Sequence, residues 1–119
     1  MTESTDPSRG QVWLVRFGAS EPGGPGKNRP AIIMSIDSLM TGSQRDLFAV
    51  VPISATASTS GIRPAVNPSD AGVERPSVAL PGAVRAVSRG RLLRHIGAVD
   101  VETLQAVEQA LAVVLGLDS

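Results

Sequence analysis

Seven consecutive residues, Leu47-Phe48-Ala49-Val50-Val51-Pro52-Ile53, are apolar without a break. A run this short, lacking the alternation of a half-exposed strand, reads as a strand covered on both faces. Such a strand needs neighbours, and the chain offers several. From Gln11 the residues alternate, with Val12 and Leu14 on one side and Trp13, Val15 and Phe17 on the other. A further apolar strand follows Pro30, from Ala31 to about Ile36, and shorter ones are expected at Arg63 to Val66, Ser77 to Leu80, Ala83 to Val87 and His95 to Val99. Between them lie segments too rich in Gly, Pro, Ser and Asp to be regular, chiefly 18–26, 37–46, 54–60 and 67–72. Ser88 to Arg94 has room for one helical turn.

The pattern changes once. Asp100 is a good N-cap, Glu102 sits in the first turn, and Leu104, Val107, Leu111, Val114 and Leu115 recur at helical spacing before Gly116. The expected fold is therefore mainly β: a small barrel of short strands capped by a C-terminal α-helix. At 119 residues the chain has one core. Residues 1–8 are expected to be a loosely attached N-terminal segment and 9–117 a single domain.

With three aromatic residues, the core must be built from Val, Leu, Ile and Ala. The absence of cysteine removes disulfides, thiol catalysis and Cys-type zinc sites, and the single histidine, His95, leaves no His-rich metal constellation. No metal or other cofactor is expected. Met1 to Arg9 lacks the apolar core of a signal peptide, and no apolar run approaches the roughly 18–20 residues of a membrane span. A cytoplasmic location is the expectation. Net charge is zero, but its distribution is uneven. Arg85, Arg89, Arg91 and Arg94 occupy a stretch without acids, whereas Asp100, Glu102, Glu108 and Asp118 occupy a tail without Lys or Arg. Ten of the eleven basic residues are arginine, the side chain suited to bidentate phosphate contacts. A solvated basic face beside a solvated acidic helix accounts for the same pattern.

Two segments concentrate the chemistry. The Gly/Pro-rich loop delivers Lys27, Asn28 and Arg29 to a strand mouth, where Pro30 restricts Arg29 to extended backbone. The apolar run of the third strand ends on the hydroxyl of Ser54, with Thr56 two residues on. A fixed cation at one strand mouth and hydroxyls at another strand's exit make an anion site. Taken alone, Arg29 reads more readily as a surface arginine than as a catalyst, and Ser54 as a hydrogen-bonded strand end. Trp13 and Phe17 read as core rather than as base-stacking platforms, and nothing around His95 singles it out as a base.

The segments Arg9-Gly10-Gln11-Val12-Trp13-Leu14-Val15, Gly26-Lys27-Asn28-Arg29-Pro30-Ala31, Val50-Val51-Pro52-Ile53-Ser54 and Ser77-Val78-Ala79-Leu80, with Val84-Arg85-Ala86-Val87 and the closing helix, resemble the MazF/PemK-type toxins of bacterial toxin-antitoxin systems. The resemblance runs from about Arg9 to Leu117. It implies an SH3-like barrel with a C-terminal helix, a homodimer, a cognate antitoxin and metal-independent, sequence-specific cleavage of single-stranded RNA, in mRNA or a tRNA loop. It implies catalytic roles for Arg29, the arginine before proline, and for Ser54, the hydroxyl after the third strand. Lys27, Asn28, Thr56, Arg85, Arg89 and Arg91 are the candidate RNA contacts. The chain departs from the family pattern twice: Glu21-Pro22-Gly23-Gly24 replaces a Gly-Ser-Glu-Gln loop, leaving Glu21 a displaced candidate, and Gly82 stands where some members carry an acid. A non-catalytic toxin of the same fold, acting by protein binding as the gyrase poisons do, is the alternative.

Overall fold

The computed structural model describes residues 6–18, 28–36 and 47–117. Within them the strands are β1 (Gln11–Arg16), β2 (Asn28–Ile33), β3 (Leu47–Ser54), β4 (Ala65–Val66), β5 (Ser77–Ala79), β6 (Arg85–Ser88) and β7 (Leu92–Ala98), joined by a one-turn helix α1 (Pro68–Ala71) and closed by helix α2 (Val101–Val114). The strands form one curled antiparallel sheet in the order β4-β5-β3-β2-β1-β7, with β6 also paired to β3. The result is a half-barrel with a C-terminal helix.

The apolar run of β3 holds this sheet together, since it pairs with three strands. Ala31, Ile32 and Ile33 of β2 oppose Pro52, Val51 and Val50. On the other edge β6 takes residues 47–50 and β5 takes Ile53 and Ser54. The alternation of β1 sorts its side chains between two clusters of the core, one on each face of the sheet. Val12 joins Ile32, Val51, Ile53 and Val107 beneath α2, while Trp13 and Val15 join Ala31, Ile33, Phe48, Val50 and Val87 on the opposite face. Both faces of the central strands are thus covered, as the unbroken apolar run requires.

Helix α2 begins where expected. The Asp100 carboxylate accepts a hydrogen bond from the Thr103 N–H at 2.7 Å, and Gly116 adopts φ +73° just past the end. Its apolar stripe is shorter than the sequence spacing implies. Val107 and Ala110 are buried and Leu104 and Leu111 half-buried, but Val114 and Leu115 are exposed, Leu115 by 54%. The last turn runs past the edge of the sheet's core.

Several boundaries differ from the sequence reading. Strand β2 begins at Asn28, before Pro30, because Asn28, Arg29 and Pro30 pair with Arg16, Val15 and Leu14 of β1. The turn-rich 67–72 segment closes one helical turn, with Asn67 Oδ1 accepting from Ser69 N and Gly72 in the left-handed region. The helical turn near residue 90 spans only Arg89–Arg91, and β7 starts at Leu92 rather than His95.

At the N-terminal side, Pro7 is buried, Asp6 pairs with Arg89 at 3.1 Å and Ser8 O accepts from Gln11 N. Arg9 bridges Met34 O and the Glu108 carboxylate, tying β1's approach to α2. No helix among the described residues is long and apolar enough to cross a membrane.

Candidate active site

The site originates in a broken ladder between β2 and β3. Met34 donates its N–H to Ala49 O at 2.8 Å, whereas Ile33 O accepts from Gly10 N on the β1 side at 2.8 Å. Backbone groups alternate along a strand, so even-numbered residues of β2 turn theirs toward β3. Pro30 is even-numbered and has no N–H to give. Pairing between the two strands ends accordingly at Ala31 and Pro52. At its far end β3 pairs instead with β5 through Ile53 and Ser54.

Continued one step past Pro30, the same count would set Arg29 against Ser54, and there the strands leave a cleft of about 420 Å³. It is lined by Arg29, Pro30, Ile53, Ser54 and Thr56 on the strand side, and by Glu74, Arg75 and Ser77 on the other. Two predicted catalytic residues and one predicted contact thus meet in one cavity.

Ser54 is 9% exposed at the cleft wall. Its hydroxyl oxygen accepts from the backbone N–H groups of Thr56 and Ala57, each at 3.2 Å, and lies 3.3 Å from Thr56 Oγ1. With its lone pairs engaged by two amides, this hydroxyl is suited to donate rather than to accept. Arg29 is half-buried, and its side chain has no hydrogen-bond or ion-pair partner among the described residues. Among the described residues nothing competes with an anion in the cleft for its guanidinium.

The other expected contacts are distributed unevenly. Arg85 does not line this cleft; its guanidinium carbon lies 5.2 Å from the centre of the Phe17 ring. Arg85, Phe17 and Arg29 share a second, smaller cavity of about 240 Å³ with Pro52, Leu80 and Ala83. Asn28 is exposed opposite Arg16 and lines neither cavity. Arg89 is engaged by Asp6, and Arg91 donates to Arg16 O at 3.1 Å, so these two stand apart from the cleft. Lys27 and Glu21 lie outside the described residues. His95 is exposed, stacks on Trp13 at 5.6 Å and contacts Gly97 O through Nε2 at 2.8 Å, away from both cavities. No group of three or more His, Cys, Asp or Glu suited to hold a metal occurs among the described residues.

Glu74 and Arg75 were not singled out by the sequence. They reach the cleft because the turn carrying them is pinned to β7 at one end. Gly72 and Gly97 meet there so closely that a Cβ on Gly72 would lie 1.9 Å from Ile96 O, and one on Gly97 would lie 2.4 Å from Ala71 C. At the other end the Ser77 hydroxyl, itself buried, donates to Arg75 O at 3.0 Å. The only trace in the sequence is a pair of charged residues bracketed by Gly72 and Pro76.

Comparison with known proteins follows the same lines. Residues 8–115 match the family described as PemK-like, MazF-like toxin of type II toxin-antitoxin system. Over 113 residues the chain is 26% identical to Endoribonuclease MazF9 of Mycobacterium tuberculosis, covering 92% of this chain and 96% of that protein. Among solved structures, a mycobacterial endoribonuclease in complex with its cognate antitoxin superposes with a TM-score of 0.77 at 23% identity, covering 95% of this chain and 98% of that one. A MazE-MazF structure from Deinococcus radiodurans gives 0.76 at 21% identity, covering 97% and 100%.

Proposed function

The chain belongs to the PemK-like, MazF-like toxin family of type II toxin-antitoxin systems and is an endoribonuclease of that type, and we propose that it cuts single-stranded RNA at a short sequence through Arg29 and Ser54. The observation that carries this reading is the cleft at the end of the β2–β3 ladder, which Arg29, Ser54 and Thr56 line together.

The reaction is an internal transfer. The ribose 2'-oxygen attacks the adjacent phosphorus, the bond from phosphorus to the 5'-oxygen breaks, and the products are a cyclic 2',3'-phosphate and a 5'-hydroxyl. Charge builds on the phosphoryl oxygens, and Arg29's planar fork grips two of them. Ser54, its lone pairs held by backbone amides, donates a hydrogen bond to one of the same two oxygens, directly or through Thr56. The 2'-hydroxyl proton passes to water or to a cleft carboxylate, and Glu74 is the carboxylate lining the cleft among the described residues. The departing 5'-oxygen takes a proton in return. None of these steps calls on a metal. Single strands suit the site because an unstacked backbone exposes both base edges and the attacking hydroxyl.

On the same reading the protein works in the cytoplasm, as a homodimer held in check by a cognate antitoxin whose acidic segment competes with RNA for the cleft cations. The test is incubation with total RNA in EDTA, followed by mapping of product ends. Cuts at one short sequence with 5'-hydroxyl ends are expected, and Arg29→Ala and Ser54→Ala should each lower the rate by about 10²–10³ with the fold intact. Intact RNA from folded, antitoxin-free protein would overturn the proposal, as would unimpaired cutting by Arg29→Ala.

A further inference from the structure

The Glu74–Arg75 turn closes the cleft opposite the strands. It brings a charged pair to the cleft that Arg29 lines, and its backbone is held at both ends, by the Gly72–Gly97 contact and by Ser77. Neither side chain has an ion-pair or hydrogen-bond partner among the described residues. An arginine on a turn held at both ends, without a carboxylate partner among the described residues and lining a cleft with a second such arginine, is set to bind an anion.

Consecutive phosphates of one strand can engage the two walls at once. We infer that Arg75 binds a backbone phosphate next to the scissile one, so that the RNA is held across the cleft between Arg75 and Arg29. Arg75 thereby positions substrate and touches no reacting atom. Glu74, on the same turn, opposes that binding electrostatically.

This inference rests on the ribonuclease reading, and the experiment separates the two. Cleavage kinetics would be measured on a short single-stranded RNA spanning the mapped cut. Affinity would be measured on its all-2'-deoxy counterpart, which cannot react, across a salt series. Arg75→Gln should raise KM about fivefold with kcat within about twofold, as removal of an exposed charge does. It should also reduce the salt slope of affinity by about 0.7, because one phosphate fewer is neutralised on the single strand. Glu74→Gln should shift KM the opposite way, which a merely structural role for the turn would not produce.

Unchanged KM and salt slope in Arg75→Gln, with cleavage intact, would overturn the inference, as would a rise in KM for both variants alike. If the protein cuts no RNA, a random 20-nucleotide single-stranded DNA pool replaces the substrate. A reduced slope in Arg75→Gln then supports the phosphate contact while the ribonuclease reading falls, and an unchanged slope removes both.

Discussion

Replacing Gly97 with alanine tests how the cleft wall is held. Gly97 has no positive φ, so the substitution adds no backbone strain, and its whole effect comes from space. The new Cβ would lie 2.4 Å from Ala71 C, 2.5 Å from Ala71 O and 2.6 Å from Asp70 O. All three are backbone atoms, so no flexible side chain can give way. Overpacking costs about 1–3 kcal/mol, and a clash with backbone alone belongs at the upper end, about 3 kcal/mol. For a domain of this size each 1 kcal/mol moves Tm by roughly 4 °C, so Gly97→Ala should melt about 12 °C lower. Gly72→Ala meets Ile96 O at 1.9 Å and also forces an alanine to φ +75°, which adds about 1 kcal/mol or more. Gly82→Ala is the control, since nothing lies within 4 Å of its added carbon, and it should stay within about 0.5 kcal/mol of the parent. Urea and thermal unfolding followed by far-UV circular dichroism would rank the three. If Gly97→Ala unfolded within about 0.5 kcal/mol of Gly82→Ala, the close contact between α1 and β7 would not exist as described.

The two ends of α2 support simpler expectations. Val107 is fully buried and Val114 is 36% exposed, so Val107→Ala should cost about 1.5–3 kcal/mol while Val114→Ala costs under about 0.5 kcal/mol, by urea unfolding. At the other end, the Thr103 N–H bonded to the Asp100 carboxylate holds that carboxyl below its usual 3.8. A group with a lowered folded pKa contributes fully above its unfolded value and loses that contribution as pH falls through the folded one. The Tm gap between parent and Asp100→Ala should therefore be open at neutral pH and narrow in acid below about pH 3.8; a gap independent of pH would exclude the cap.

The parts of this fold that were legible in sequence are those whose signal is local. The unbroken run in β3, the alternation in β1 and the Asp100-to-Gly116 helix each carry their own period or cap. Helix α1 was not legible because Asn67, Pro68 and Gly72, which close a single helical turn here, are also ordinary turn formers. Val114 and Leu115 keep helical spacing but overrun the sheet, and spacing cannot show where a partner surface ends. Arg29 and Ser54 could be named because each stands at the end of a recognisable strand. Glu74 and Arg75 could not, since what brings them to the cleft is contact between glycines 25 residues apart in the chain.

Pro30 has a consequence that reaches beyond the backbone of Arg29. Antiparallel strands tend to complete their own ladders, because each unpaired N–H and C=O near another strand gains by closing. A cleft opened between two neighbouring strands of one sheet is therefore always at risk of healing shut. An imino acid facing that gap acts as the stop on a zip: the seam can run up to Ala31 and Pro52 and no further. The proline that fixes the arginine's approach thus also keeps the arginine's working space from being consumed by the sheet itself.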